Sequence, residues 1–77
     1  MLGRMRVSEF WDLVADEFGP AQGPILVREH VLFELGNRTA EQALADGEPP
    51  VRDVWFALCD ALDVPAGRRW GRERPAR

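Results

Sequence analysis

The chain has no lysine, one cysteine and one histidine among its 77 residues, and each scarcity removes a class of protein. One cysteine rules out an intramolecular disulfide framework, so stability must come from packing. A lone cysteine and a lone histidine do not make a zinc site, which takes three or four clustered ligands. No apolar run approaches the roughly 18 residues of a membrane span, and MLGRMRVSEFW at the N-terminus has no apolar core of a secretory signal. No glycine-rich phosphate loop, HxxxH pair or Ser-His-Asp set occurs. Repeats and period-2 alternation over a strand length are missing too, which leaves the α-helix as the regular element the pattern supports.

Charge is abundant and unevenly placed. All basic residues are arginine, and the formal net charge is −3. Residues 7–65 hold Arg28, Arg38 and Arg52 against twelve acids, a net of −9. Residues 66–77 hold five arginines against Glu73, a net of +4, and Arg4 and Arg6 supply the remaining +2. An acidic body repels phosphate and anionic lipid, which disfavours nucleic acid and excludes a membrane surface as its main partner. The basic tail is free to fold back on that body or to reach an acidic partner.

Four amphipathic segments follow one another. Ser8 is placed to cap the first helix, with Glu9 and Asp12 near the positive end of its dipole. Phe10, Leu13, Val14 and Phe18 recur at helical spacing before Gly19-Pro20 stops the run. Pro24 fits the first turn of a second helix, whose apolar residues Ile25, Leu26, Val27, Val31, Leu32, Phe33 and Leu35 cover more than one stripe up to Gly36-Asn37. Thr39 with Gln42 forms a capping box for a short third helix that carries Ala40, Ala43 and Leu44 and ends at Asp46-Gly47. Pro49-Pro50 opens the last helix, with Val51, Val54, Trp55, Leu58, Cys59 and Leu62 on one face, closed by Pro65 and Gly67.

The expected fold is all-α: one domain over residues 1–65, a compact bundle of about four short helices, followed by a flexible, disordered arginine-rich tail over 66–77. Its predicted core is Phe10, Trp11, Val14, Phe18, Leu26, His30, Val31, Leu44, Val54, Trp55, Leu58 and Cys59.

Cys59 and His30 are the one pair that nucleophilic catalysis could use. Cys59 lies on the buried stripe, where desolvation raises a thiol pKa and silences it. His30 lies between Leu26 and Phe33 on an apolar face, as a buried neutral imidazole would. No catalytic, metal or cofactor residue is therefore expected, and the chain reads as a non-enzyme. The third and fourth helices have helix-turn-helix lengths. The outward residues of the second of them are Arg52, Asp53, Phe56, Asp60 and Asp63, however, and three carboxylates against one guanidinium repel DNA. Phe56 points away from the core stripe beside those acids and is a candidate anchor for a protein partner. Arg68, Arg69 and Trp70 combine charge with an aromatic suited to stacking, and with Arg38 complete the candidate partner contacts. Binding of another protein is the first expectation. A nucleic-acid-associated regulator, acting through helix-turn-helix-like or basic-tail contacts, is the alternative.

MRVSEFW at 5–11, FGP at 18–20, HVLFELGNRT at 30–39, Ala43-Leu44 with Gly47, and VWFALC at 54–59 together resemble a family of short actinobacterial proteins classed as a domain of unknown function. Its members are often encoded close to the recombinase and its regulator. The resemblance spans residues 5 to about 65 and implies bacterial origin, a cytoplasmic location and a DNA-repair neighbourhood, with no established catalytic or binding residue to transfer. Its pattern opens at Met5, which makes Met5 a candidate start and places residues 1–4 outside the domain. At Gln22-Gly23-Pro24 the chain departs from it, where the family implies an uninterrupted helix.

Overall fold

In the computed structural model, which describes residues 5–69, helix α1 (Val7–Phe18) turns Phe10, Leu13 and Val14 inward. The cap is Arg6 rather than Ser8: its backbone N–H donates to the Glu9 carboxylate at 2.9 Å, so an acid closes the first turn at the positive end of the dipole. Gly19 follows at φ 93°, backbone that only glycine adopts without strain.

Helix α2 (Gln22–Glu29) packs against α1 at very short range. A Cβ at Gly23 would stand 2.5 Å from Val14 Cγ1 and 3.2 Å from the Val14 carbonyl oxygen, so the approach of the two helices requires glycine there. Gln22, Gly23 and Pro24 form the first turn of α2, where the missing N–H of proline leaves no helical bond unmade.

The sequence pattern carries this helix to Gly36, but the chain leaves helical geometry at His30. Strand β1 (Val31–Leu32) pairs antiparallel with β2 (Arg38–Thr39), in the register Val31 to Thr39 and Leu32 to Arg38. Between them lies a 3₁₀ turn, Phe33–Leu35, and Gly36 and Asn37 at φ 74° and 63° reverse the chain. Val31, Leu32 and Phe33 are consecutive bulky residues, two of them β-branched or aromatic, and such residues suit extended backbone. Extension sends neighbouring side chains to opposite sides. Leu32 is accordingly 2% exposed, Val31 57% and Phe33 83%. Val31 thus belongs to the surface and not, as predicted, to the core.

Helix α3 (Ala40–Asp46) begins with the reciprocal capping box: the Gln42 N–H donates to Thr39 Oγ1 at 3.1 Å and the Thr39 N–H to Gln42 Oε1 at 2.9 Å. Helix α4 (Val51–Ala61) crosses the core and buries Val54, Trp55, Ala57, Leu58 and Cys59. The Trp55 ring is the centre of packing, with the edges of Phe10 and Phe18 against it at centroid distances of 6.0 and 6.2 Å. Four helices and one two-residue ladder make a mainly helical fold among the described residues.

Three further core assignments shift. Trp11 is exposed, because a 100° step along α1 from the buried Phe10 takes it to the flank, where its ring meets Phe10 edge-on at 5.6 Å. Leu26 is half-buried, since the inward stripe of α2 runs through Gly23 and Val27. His30 is half-buried because the early end of α2 removes it from any helical face. Phe18 and Leu44 are partly buried at the core margin.

Candidate functional site

Polar side chains first gather where the chain leaves α4. Asp63 at φ 58° turns it, Val64 re-enters the core, and Ala66–Arg68 forms a 3₁₀ turn. The first four residues of the stretch read as tail, 66–69, therefore carry structure. Arg68 donates to Glu17 at the end of α1 through Nη2 at 2.7 Å and Nε at 3.4 Å. The Glu17 side chain is only 9% exposed, so its charge needs that partner, and the same hydrogen bond raises the Arg68 pKa above its ordinary value. Arg69 donates to the Val64 carbonyl at 3.0 Å and pairs with Asp60 at 2.9 Å. Its own carbonyl accepts the Trp55 indole N–H at 2.7 Å. Arg38 donates to the Leu35 carbonyl at 2.7 Å and pairs with Asp46 at 2.6 Å, bracing the β1–β2 reversal against α3. Three arginines read as partner contacts are thus joined to groups of their own domain. Trp70 lies outside the described residues.

The second gathering is on the outer side of α4. Asp53, Phe56, Ala57 and Asp60 follow at i, i+3, i+4 and i+7, which puts them on one face. With Pro49 they form one wall of an open groove of about 320 Å³, and Glu34 and Leu35 of the 3₁₀ turn form the other. Leu35 and Ala57 are buried and make an apolar floor, while the carboxylate-bearing residues stand exposed at the margin. Phe56, read from the sequence as exposed, is half-buried and packs on the core. The Arg52 and Arg69 guanidinium carbons lie 5.8 and 5.9 Å from its ring centre, within cation–π range. Among the described residues the most exposed aromatic is instead Phe33, next to Glu34 in the turn. The local signal was the β-branched and aromatic run Val31-Leu32-Phe33 just before Gly36-Asn37, residues suited to extended backbone ahead of a turn.

Cys59 is fully buried, and burial pushes its thiol from 9.0 up to about 12. Arg69 lowers it somewhat, and Glu17 and Asp60 add to the rise. A thiol held protonated and away from solvent is not a nucleophile at neutral pH. Among the described residues no three His, Cys, Asp or Glu side chains gather to hold a metal, and no helix is long and apolar enough to cross a membrane.

The sequence pattern of the family described as "Protein of unknown function (DUF3046)" matches residues 5–67. The chain belongs to the DUF3046 family. Within the matched range lie all four helices, the β1–β2 reversal and both walls of the groove. In Mycobacterium tuberculosis the protein named "Putative envelope-preserving system protein Rv2742c" is 47% identical over 47 residues. That match takes in 61% of this chain but 16% of the relative, so the chain corresponds to a small part of the longer protein. No solved structure matches this DUF3046 chain.

Proposed function

We propose that this DUF3046 domain is a non-catalytic protein-docking module, and that its contact face is β1, the following 3₁₀ turn and the outer stripe of α4. The exposure of Phe33 carries the reading. A phenylalanine left 83% exposed forgoes most of the roughly 1.5–3 kcal/mol that burial would supply, and Val31, two residues before it, is 57% exposed. Aromatic side chains in such a position are the usual anchors of protein interfaces. The relative supports a modular reading, because the matched segment is 16% of a longer protein. Its name directs the first search for partners toward an envelope-preserving system. A free thiol without a disulfide fits a reducing compartment, so a cytoplasmic location forms part of the proposal.

The nucleic-acid alternative is weaker on this geometry. Arg38, Arg68 and Arg69 are paired with Asp46, Glu17 and Asp60. The test is capture from an extract of the native host by the full chain and by its Phe33→Ser variant, at low and at raised salt. Docking predicts partners retained at raised salt by the parent chain and absent from the variant. Identical captured sets would sink the reading, and retention of DNA that collapses with salt would transfer it to the alternative.

A further inference from the structure

We infer that the groove between the Phe33–Leu35 turn and α4 receives an arginine-bearing segment of the partner protein, a step that rests on the docking reading above and names the chemistry of its ligand. The groove has an apolar floor and carboxylates on both walls, Glu34 on the turn and Asp53 and Asp60 on α4. Glu34 and Asp53 form no ion pair among the described residues, so two anionic groups face solvent across an apolar strip. An acidic or phosphorylated segment would be repelled there. A second copy of this chain would bring the same acidic face and a net charge of −3.

The chain's own arginines show how a guanidinium fits. Arg69 pairs with Asp60 at 2.9 Å while lying 5.9 Å from the centre of the Phe56 ring, and Arg52 lies 5.8 Å from the same ring. Pairing a carboxylate while covering an aromatic ring suits the flat guanidinium, which is weakly hydrated, better than a compact ammonium. Charge balance points outward as well. The body over 7–65 carries −9 and residues 66–77 carry only +4, so the acidic surplus exceeds what its own C-terminal end neutralises. Phe33, beside Glu34, supplies an apolar anchor next to the cation sites.

The test is a titration of the isotope-labelled full chain, followed by backbone amide shifts at low salt. The probes are short capped peptides that alternate leucine with arginine, with lysine or with glutamate. The arginine peptide should give saturable shifts confined to residues 33–35 and 53–60. The lysine peptide should bind several-fold more weakly, and the glutamate peptide not at all. Glu34→Gln with Asp53→Asn, in a chain whose helical circular dichroism is unchanged, should weaken the arginine peptide by about tenfold, as two exposed ion pairs predict. No saturable binding, equal binding of lysine and arginine peptides, or equal binding by the neutralised variant would each overturn the assignment. Binding that emerges only when Arg72, Arg74 and Arg77 are changed to Ser would also overturn it, by showing that the chain's own arginines fill the groove. A Phe33→Ser capture defect without any peptide response would leave the docking reading standing and remove this one.

Discussion

Residues 25–35 and 51–61 hold seven and eight apolar residues in stretches of equal length, and yet only the second is one helix. In α4 the polar residues Arg52, Asp53 and Asp60 leave an unbroken inward stripe through Val51, Val54, Trp55 and Leu58. Between 25 and 35 the polar residues Arg28, Glu29 and His30 separate the runs Ile25-Leu26-Val27 and Val31-Leu32-Phe33, and Glu34 sets Leu35 apart. The second run leaves helical geometry after His30, buries Leu32 and leaves Val31 and Phe33 outside, whereas 54–59, six consecutive apolar residues, stays helical with neighbouring elements packed around it. Apolar content alone therefore says little about which segment is the core. What packs against a segment decides whether it becomes scaffold or surface.

The largest test of this contrast falls on α4. Trp55→Ala removes the ring that Phe10 and Phe18 pack against and the donor to the Arg69 carbonyl. Loss of a buried tryptophan costs about 3–5 kcal/mol, in a domain whose whole stability is on the order of 5. No cooperative thermal transition should remain. A surviving transition would show that the scaffold does not depend on this stripe. Trp55→Phe keeps most of the packing and should separate out the hydrogen bond, worth about 1 kcal/mol.

Next in size is a pH effect on the same helix. Below pH 9 the Cys59 thiol is protonated in both folded and unfolded chains and contributes no pH dependence. Between 9.0 and about 12 the unfolded chain releases the proton while the folded chain keeps it, so stability falls as pH rises. The slope should approach 1.4 kcal/mol per pH unit, about the value of one proton. The chain has neither lysine nor tyrosine, so no other side-chain type ordinarily titrates in that window. Denaturant unfolding at pH 8 and pH 10 should show the loss in the parent chain and not in Cys59→Ala. A flat profile in the parent would mean that the thiol reaches solvent.

The parts legible in the sequence are those set by local rules. The Thr39–Gln42 capping box, the stops at Gly19 and Gly47, the α4 stripe and the burial of Cys59 each follow from residues within about one or two helical turns. What escaped depends on distant partners. Arg68 meets Glu17 across 51 positions and Trp55 meets Arg69 across 14, so nothing local reveals that 66–69 is fastened to the body. The groove was half legible. Its α4 wall appears in the spacing of Asp53, Phe56 and Asp60, whereas its other wall exists only because residues 31–39 reverse.

A smaller effect tests the seam between α1 and the segment that breaks. Gly23→Ala adds the methyl that would stand 2.5 Å from Val14 Cγ1. Alanine gains roughly 1 kcal/mol over glycine in a helix interior, but less in this first turn. Val14 is 1% exposed and its carbonyl oxygen is backbone, so neither neighbour moves away freely. Overpacking of this kind costs about 1–3 kcal/mol, and the variant should unfold at lower denaturant than its parent. An unchanged or raised midpoint would mean that the two helices slide apart at no cost.

The smallest stability effect is expected where the binding effect is largest. Phe33 and Phe56 are both phenylalanines that a helix wheel leaves outside the main stripe, but one is 83% exposed and the other packs on the core beneath two guanidinium groups. Phe33→Ser removes a ring that contributes little to the fold, so its unfolding free energy should stay within about 0.5 kcal/mol of the parent value. Phe56→Ser removes core-packed surface and two cation–π contacts, and should lose about 1–2 kcal/mol. Equilibrium denaturation of the pair separates scaffold from surface without knowledge of any partner. If Phe33→Ser were the more damaging change, its ring would have to be covered within the folded chain. The exposed turn could not then be the docking face.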